Sequence, residues 1–147
     1  MGHNEQVRLT NMCMVTDGNG NVLVQDRADP NWPGIVYPGG HVEYGESFRD
    51  SVIREVREET GIVISNPKLV GVKQFQTEIG IRYIVFLYRA DQWTGTLQSS
   101  DEGEAMWIPR AELMTKRLAN GFEEMLPVFE QEEISELFYD GDKAVYF

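Results

Sequence analysis

Three glutamates stand within five positions of one another, at 55, 58 and 59. On a helix, residues three and four apart share a face, so Glu55, Glu58 and Glu59 would lie side by side. Like charges in that arrangement repel, and a helix gains no stability by gathering them. A hard divalent cation such as Mg²⁺ reverses the sign of the interaction because it prefers carboxylate oxygens. With the diglycine turn Gly39-Gly40 just before it, this block predicts a metal site built on one helix and one loop.

The same glutamates also fit a simpler interpretation, an ordinary solvated helix face, since Arg54 and Arg57 stand where they can pair with carboxylates. The wider spacing argues for the metal site. Seven residues match the fixed pattern Gly-x5-Glu-x7-Arg-Glu-apolar-x-Glu-Glu-x-Gly-apolar over residues 40–62. They are Gly40, Glu46, Arg54, Glu55, Glu58, Glu59 and Gly61, with Val56 and Ile62 at the apolar positions.

This segment resembles the Nudix box, GX5EX7REUXEEXGU, where U is a bulky aliphatic residue, and it matches without a departure. The resemblance implies an α/β fold in which a mixed sheet lies between helices. It also implies hydrolysis of a nucleoside diphosphate linked to another moiety, with Mg²⁺ or Mn²⁺ as the cofactor. Glu55, Glu58 and Glu59 are then expected to bind the ion and Arg54 to orient them by ion pairing. The general base stays open between Glu55 and Glu58.

Further ligands are expected outside the glutamate cluster. The Gly39 carbonyl, freed by a turn without side chains, can supply one oxygen. A later acidic loop often supplies another ligand in this family, and Glu102 is the first candidate and Glu104 the second. A solvated acidic loop is the alternative for this segment. Glu46 can either favour the helix dipole or contact the metal directly.

Four residues outside the box indicate the substrate class. The chain is similar to MutT-type 8-oxo-dGTP diphosphatases at an arginine, an aromatic residue before Pro-Gly-Gly, a second arginine and an asparagine, which here are Arg27, Tyr37, Arg82 and Asn120. Arg27 can clamp phosphate or ribose, and Tyr37 can pack on a base or sugar, where the subgroup has Phe. Asn120 offers a donor and an acceptor for the edge of an oxidised guanine.

The main hypothesis is therefore hydrolysis of a nucleoside triphosphate, such as 8-oxo-dGTP, to the monophosphate and pyrophosphate. Pyrimidine triphosphates and nucleotide sugars are alternative substrates for the same chemistry. A ligand-sensing domain without catalysis is a third hypothesis, although such domains usually lack box glutamates that are all present here.

The surrounding sequence predicts the elements that hold these residues. Ser47 is expected to cap a helix that Gly61 ends, with the glutamate face roughly opposite Phe48 and Val52. Asp17–Gly20 is typical of a hairpin turn. Strands are predicted at Val7–Thr16, Val22–Gln25, Ile35–Tyr37, Lys68–Gln76, Arg82–Arg89 and Glu104–Ile108, a helical turn at Ala111–Thr115, and a second helical region at Phe122–Phe138 with Pro127 inside it.

Composition limits the remaining possibilities. The 147 residues suit one domain, 1–147, and no apolar run is long enough for a membrane span. A net charge of −11 argues against a nucleic acid polymer as partner. Cys13 is the only cysteine, which favours a reducing cytoplasm and a buried thiol. The oligomeric state stays open between monomer and homodimer, because the segment Asp142–Phe147, apolar over its last four residues, can pair with a second copy or dock on its own chain.

Overall fold

The computed structural model describes residues 2–147, which form two α-helices, one short 3-10 helix and ten strands. The helices are α1 (Phe48–Thr60) and α2 (Phe122–Glu130), and the 3-10 helix spans Arg110–Thr115. The strands are β1 (Val7–Val15), β2 (Asn21–Arg27), β3 (Gly34–Val36), β4 (Ile62–Ser65), β5 (Lys68–Gln76), β6 (Arg82–Ala90), β7 (Gln92–Gly95), β8 (Gly103–Pro109), β9 (Glu136–Asp140) and β10 (Lys143–Tyr146).

The strands form three sheets. The largest has the order β1-β6-β5-β9-β10, with β1 parallel to β6, β5 parallel to β9 and the other pairs antiparallel. A second, antiparallel sheet has the order β3-β2-β8, and β4 pairs with β7. Helix α1 packs on one face of the largest sheet and α2 on the other. The predicted fold class, a mixed sheet between helices, is confirmed.

Alternation along β1 explains how one strand serves two cores. Met12 and Met14 pack in the cluster that contains α2, whereas Cys13 and Val15 pack in the cluster that contains α1. Cys13 is fully buried as predicted, and burial raises the pKa of its thiol. No helix in residues 2–147 is long and apolar enough to cross a membrane.

Helix α1 begins and ends as the sequence predicts. The Ser47 hydroxyl accepts a hydrogen bond from the Asp50 amide at 2.9 Å, and Gly61 ends the helix at a φ of 77°. The predicted separation of faces was wrong for Glu59, which is 3% exposed and lies on the same side as Val52. Seven residues make almost two full helical turns, so Glu59 falls directly above Val52.

Two other predictions need correction. The turn at residues 17–20 joins two different sheets and not two paired strands, apart from one isolated bridge between Thr16 and Val22. The helical region predicted at Phe122–Phe138 ends at Glu130, three residues after Pro127, and its last part belongs to β9. Strand β9 pairs with β10, so the C-terminal segment docks on its own chain. The short strands β4 and β7 were not anticipated.

Candidate active site

Three carboxylates from two separate parts of the chain meet at one point. Glu55 and Glu59 come from α1, and Glu102 comes from the turn before β8, with one oxygen of each within 4.8 Å of the others. The turn is fixed to the second sheet because the Ala28 amide donates to the Glu102 carbonyl at 3.0 Å. Of the two acidic residues considered for this role, the structure brings Glu102 to the helix and leaves Glu104 outside the group.

Burial makes this cluster electrostatically unfavourable without a cation. Burial, followed by a hydrogen bond with Glu102, raises the pKa of Glu59 to about 9, although the Gly39 amide donates to Glu59 at 2.9 Å. Burial also raises the pKa of Glu55, against the opposing effect of Arg54. A hard divalent cation would favour the ionised form of each group and provide the missing counter-charge. The donor set therefore fits such an ion.

The diglycine turn lies against the cluster. The Gly40 amide donates to the Asn11 side-chain oxygen at 3.0 Å, and the Asn11 side-chain amide donates to the Ser51 hydroxyl at 2.9 Å. A Cβ at Gly39 would collide with the Asn11 backbone, and one at Gly40 would collide with the Glu55 carboxylate. Gly39 is thus required by the close approach of the Asn11 backbone, whereas a side chain at Gly40 would displace the Glu55 carboxylate. Asn11 ties the turn to α1.

Arg54 forms hydrogen bonds with three glutamates of the sequence pattern, Glu46, Glu55 and Glu58. Its Nη1 donates to Glu55 at 2.8 Å and to Glu58 at 3.2 Å. Its Nε and Nη2 donate to the Glu46 carboxylate at 2.7 and 3.0 Å. Glu46 precedes the helix cap and lies in this ion pair, not in the three-carboxylate group. The Glu58 side chain is 53% exposed and also lies outside that group, although it shares one Arg54 nitrogen with Glu55.

A cavity of about 1060 Å³ opens beside the carboxylates. Arg27, Tyr37 and Asn120 line it, but Arg82 does not. Arg82 instead pairs with Glu5 at 2.9 Å and donates to the Gln74 side chain at 2.9 Å. The structure therefore brings three of the four predicted substrate-binding residues to the cavity.

Arg27 and Asn120 are joined through Trp32. The Arg27 guanidinium lies 4.6 Å from the centre of the Trp32 ring, and its Nε donates to the Trp32 carbonyl at 2.8 Å. The Trp32 indole donates to the Asn120 carbonyl at 2.8 Å. Since that bond uses the backbone of Asn120, the side-chain amide is left for other partners.

Tyr37 is 1% exposed, and its ring makes edge-on contacts with Phe122 and Phe129. Its hydroxyl has no hydrogen-bond partner within residues 2–147, and burial raises its pKa. The tyrosine forms part of the cavity floor and of the α2 core at once.

The far part of the cavity was not anticipated from the sequence. It is lined by residues of β5, β6, β9 and α2, namely Lys73, Phe75, Tyr83, Tyr139, Glu124 and Met125. The one signal available was Lys73, which shares a face of the predicted strand with Gly71 and Phe75, because a buried lysine is rare without a partner.

Comparison with known proteins identifies the family. A sequence model described as the NUDIX domain matches residues 7–129, which contain the diglycine turn, α1 and the Glu102 loop. The chain belongs to the Nudix family. This Nudix protein is 40% identical over 119 residues to the uncharacterized Nudix hydrolase YvcI of Bacillus subtilis, covering 78% of this chain and 73% of that one.

One further relative and one solved structure are also similar to this Nudix protein. An 8-oxo-dGTP diphosphatase of Haemophilus influenzae is 33% identical over 75 residues, which cover 50% of this chain and 54% of the relative. The crystal structure of a MutT protein from Bacillus halodurans superposes with a TM-score of 0.76 at 27% identity, covering 95% of this chain and 96% of that one. The chain is therefore a Nudix hydrolase with a MutT-like fold.

Proposed function

We propose that this Nudix hydrolase cleaves a nucleoside triphosphate to the monophosphate and pyrophosphate with Mg²⁺, and that an oxidised purine nucleotide such as 8-oxo-dGTP is the substrate. One observation carries the proposal: the three-carboxylate group of Glu55, Glu59 and Glu102 adjoins a cavity of about 1060 Å³. A cavity of this size suits a nucleotide, and a polyanionic substrate needs cations beside so many carboxylates.

Each residue near the carboxylates has a distinct role in this proposal. Glu55, Glu59, Glu102 and the Gly39 carbonyl would hold the ion, which when bound would neutralise phosphate charge and lower the pKa of water. Glu55 or Glu58 removes the proton from the attacking water. Arg54 positions both of them through its shared nitrogen. The same oxygen donors also suit Mn²⁺.

The proposed substrate is supported by two residues that line the cavity, Arg27 and Asn120. Arg27 lies where it can bind phosphate or ribose, and the Asn120 amide can contact the base. The similarity to the 8-oxo-dGTP diphosphatase of Haemophilus influenzae supports the same class. Arg82 is left out of this assignment because its guanidinium is engaged by Glu5 and Gln74. A role in cleansing the cytoplasmic nucleotide pool follows from the substrate.

A panel assay tests the proposal. Pyrophosphate and phosphate release are measured with Mg²⁺ on 8-oxo-dGTP, dGTP and the pyrimidine triphosphates, and formation of the nucleoside monophosphate is measured on ADP-ribose and a nucleoside diphosphate sugar. We expect pyrophosphate release with the highest kcat/KM on 8-oxo-dGTP. Turnover of 8-oxo-dGTP no better than that of dGTP would remove the cleansing role. Hydrolysis of ADP-ribose or the sugar nucleotide alone would replace the triphosphate assignment. ADP-ribose is included in the panel because one relative is an ADP-ribose pyrophosphatase of Methanocaldococcus jannaschii.

A further inference from the structure

Lys73 is a buried cation at the far end of the cavity from the carboxylates. It is 8% exposed, on β5, and its ammonium lies 5.7 Å from the centre of the Phe75 ring and 5.2 Å from that of Tyr139. Within residues 2–147, no carboxylate oxygen lies within 4.0 Å of the ammonium. Aromatic faces attract a cation but do not accept its protons as oxygen atoms do. A lysine buried in this way retains the capacity to donate hydrogen bonds to a ligand.

Glu124 is the carboxylate whose charge acts on Lys73, and it also lines the cavity. One of its carboxylate oxygens accepts a hydrogen bond from the Tyr139 hydroxyl at 2.7 Å. Tyr139 therefore fixes the carboxylate and covers the lysine at the same time. The result is a hydrogen-bond donor and a hydrogen-bond acceptor that both adjoin Tyr139 at one end of the cavity.

A glycine, Gly121, lies beside this pair and leaves space there. Gly121, the N-cap of α2, has a φ of 83°, and a Cβ at this position would lie 3.4 Å from the Lys73 ammonium and 3.8 Å from the Tyr139 hydroxyl. Glycine is the residue that adopts this backbone conformation without strain. Its missing side chain keeps the approach to the pair open next to Asn120.

The sheet register fixes how far this pair lies from the metal ligands. Thr10, Val85 and Lys73 are direct partners across β1, β6 and β5, so they form one row on one face of the sheet. Two strand spacings separate Thr10 from Lys73, about 10 Å. Thr10 precedes Asn11, which holds the Gly40 amide beside Glu55. A nucleotide whose phosphates lie at the carboxylates would thus extend along this row and bring its base to Lys73.

We infer that Lys73 and Glu124 select the base of the nucleotide by binding an edge in which a carbonyl oxygen stands next to an N–H group. The lysine donates to the carbonyl, and the free oxygen of Glu124 accepts from the N–H. Guanine, hypoxanthine, uracil and thymine present this edge. Adenine and cytosine present the reverse, an amino group next to an unprotonated ring nitrogen, and would bring donor against donor. The inference deepens the proposed function, on which it rests.

Hypoxanthine and adenine provide the sharpest comparison, since they differ only along this edge. Binding of dIMP and dAMP to the full-length protein is measured by calorimetry, and kcat/KM is measured for dITP and dATP with Mg²⁺. We expect the wild-type protein to prefer the hypoxanthine nucleotides at least tenfold in both assays, because a hydrogen bond to a charged group contributes that much discrimination. Equal affinity for dIMP and dAMP in the wild type would overturn the inference.

Three variants assign the preference to the pair. Lys73→Met keeps the length of the side chain and removes the donor, so the preference should fall by about tenfold, mostly through weaker dIMP binding. Lys73→Arg should retain part of it. The matched control is Lys68→Met, an exposed lysine on the same strand, which should leave the ratio unchanged. If Lys73→Met keeps the wild-type ratio, Lys73 is a core residue only and the inference fails.

Glu124→Gln supplies a second, independent variant. The glutamine still accepts from Tyr139 but loses the obligatory acceptor character of the carboxylate, so the preference for dIMP should decrease. It decides the matter if Lys73→Met does not fold. The monophosphate measurements need no catalysis. Failure of the proposed function would appear as no pyrophosphate from any triphosphate, with the binding preference retained, whereas failure of the inference would appear as pyrophosphate release without base preference.

Discussion

Arg54 binds both carboxylate oxygens of Glu46, with Nε 2.7 Å from one and Nη2 3.0 Å from the other. This pairing leaves Nη1 for Glu55 and Glu58 and fixes the plane of the guanidinium. The His41 carbonyl accepts from Nη2 as well, at 2.9 Å, which adds the diglycine turn to the same unit. One side chain therefore connects the helix, the turn and the carboxylates of Glu55 and Glu58.

Arg54→Lys should lower kcat about 10- to 100-fold, the usual effect of losing a residue that orients metal ligands. Lysine keeps the charge but cannot hold Glu46 at two points and donate to Glu55 as well. The measurement is steady-state kinetics at saturating Mg²⁺. Arg57→Lys, on an exposed face of the same helix, is the matched control and should retain wild-type kcat. Equal kinetics for both variants would contradict a positioning role.

The ion pair between Glu46 and Arg54 should make the free energy of unfolding depend on pH. The hydrogen bonds from Arg54 lower the pKa of Glu46 from 4.5 to about 2. A lowered carboxyl pKa stabilises the fold above the unfolded-state pKa, and this contribution is lost as the pH falls through the folded-state pKa. The difference in unfolding free energy between wild type and Glu46→Gln should therefore be largest above pH 5 and shrink toward pH 2. A difference independent of pH would assign the effect to packing.

Metal binding should distinguish Glu102 from Glu104. Since only Glu102 joins the carboxylates of α1, Glu102→Gln should abolish most of the rise in melting temperature that Mg²⁺ produces. Glu104→Gln removes the same charge two residues away and should keep that rise. Thermal unfolding with and without 10-fold excess EDTA over Mg²⁺ measures it. The reverse pattern would transfer the ligand role to Glu104.

Glu58→Gln should reduce kcat by orders of magnitude while leaving the unfolding free energy close to that of the wild type. The side chain is half exposed, so its loss disturbs little packing, but the proposal gives it a direct part in the chemistry. Pyrophosphate release and chemical denaturation of the same preparation measure the two effects. A near-normal rate would remove Glu58 from the mechanism and leave Glu55 as the only proposed base.

The sequence allowed much of the central fold to be predicted, because α1 carries its own signals. Ser47 caps the helix and Gly61 ends it through local hydrogen bonds and backbone geometry, which depend on a few neighbouring residues. The same holds for β5, whose bounds at Lys68–Gln76 were predicted correctly. Strand β9 was missed because residues 131–135, which separate it from α2, contain no glycine or proline to mark the end of the helix, and because its pairing with β10 is a tertiary effect.

The candidate site was predictable only in part. Glu102 was expected to join the box glutamates, yet its place beside Glu55 depends on how the second sheet packs on α1. Arg82 was predicted to bind substrate from its position at the start of a strand. Its guanidinium is held by Glu5, a contact that sequence position does not reveal. Lys73 was overlooked because its environment is set by Tyr139 and Glu124, both more than 50 residues away.

The division of the carboxylates between α1 and the Glu102 turn has a mechanical consequence. Glu102 belongs to a turn anchored on the β3-β2-β8 sheet, whereas Glu55 belongs to a helix packed on the larger sheet. An ion held by both would act as a non-covalent cross-link between layers that the chain itself joins through loops. Mg²⁺ should therefore slow amide hydrogen exchange in the Ser99–Gly103 turn far more than in β10, which is the edge strand of the larger sheet farthest from β1.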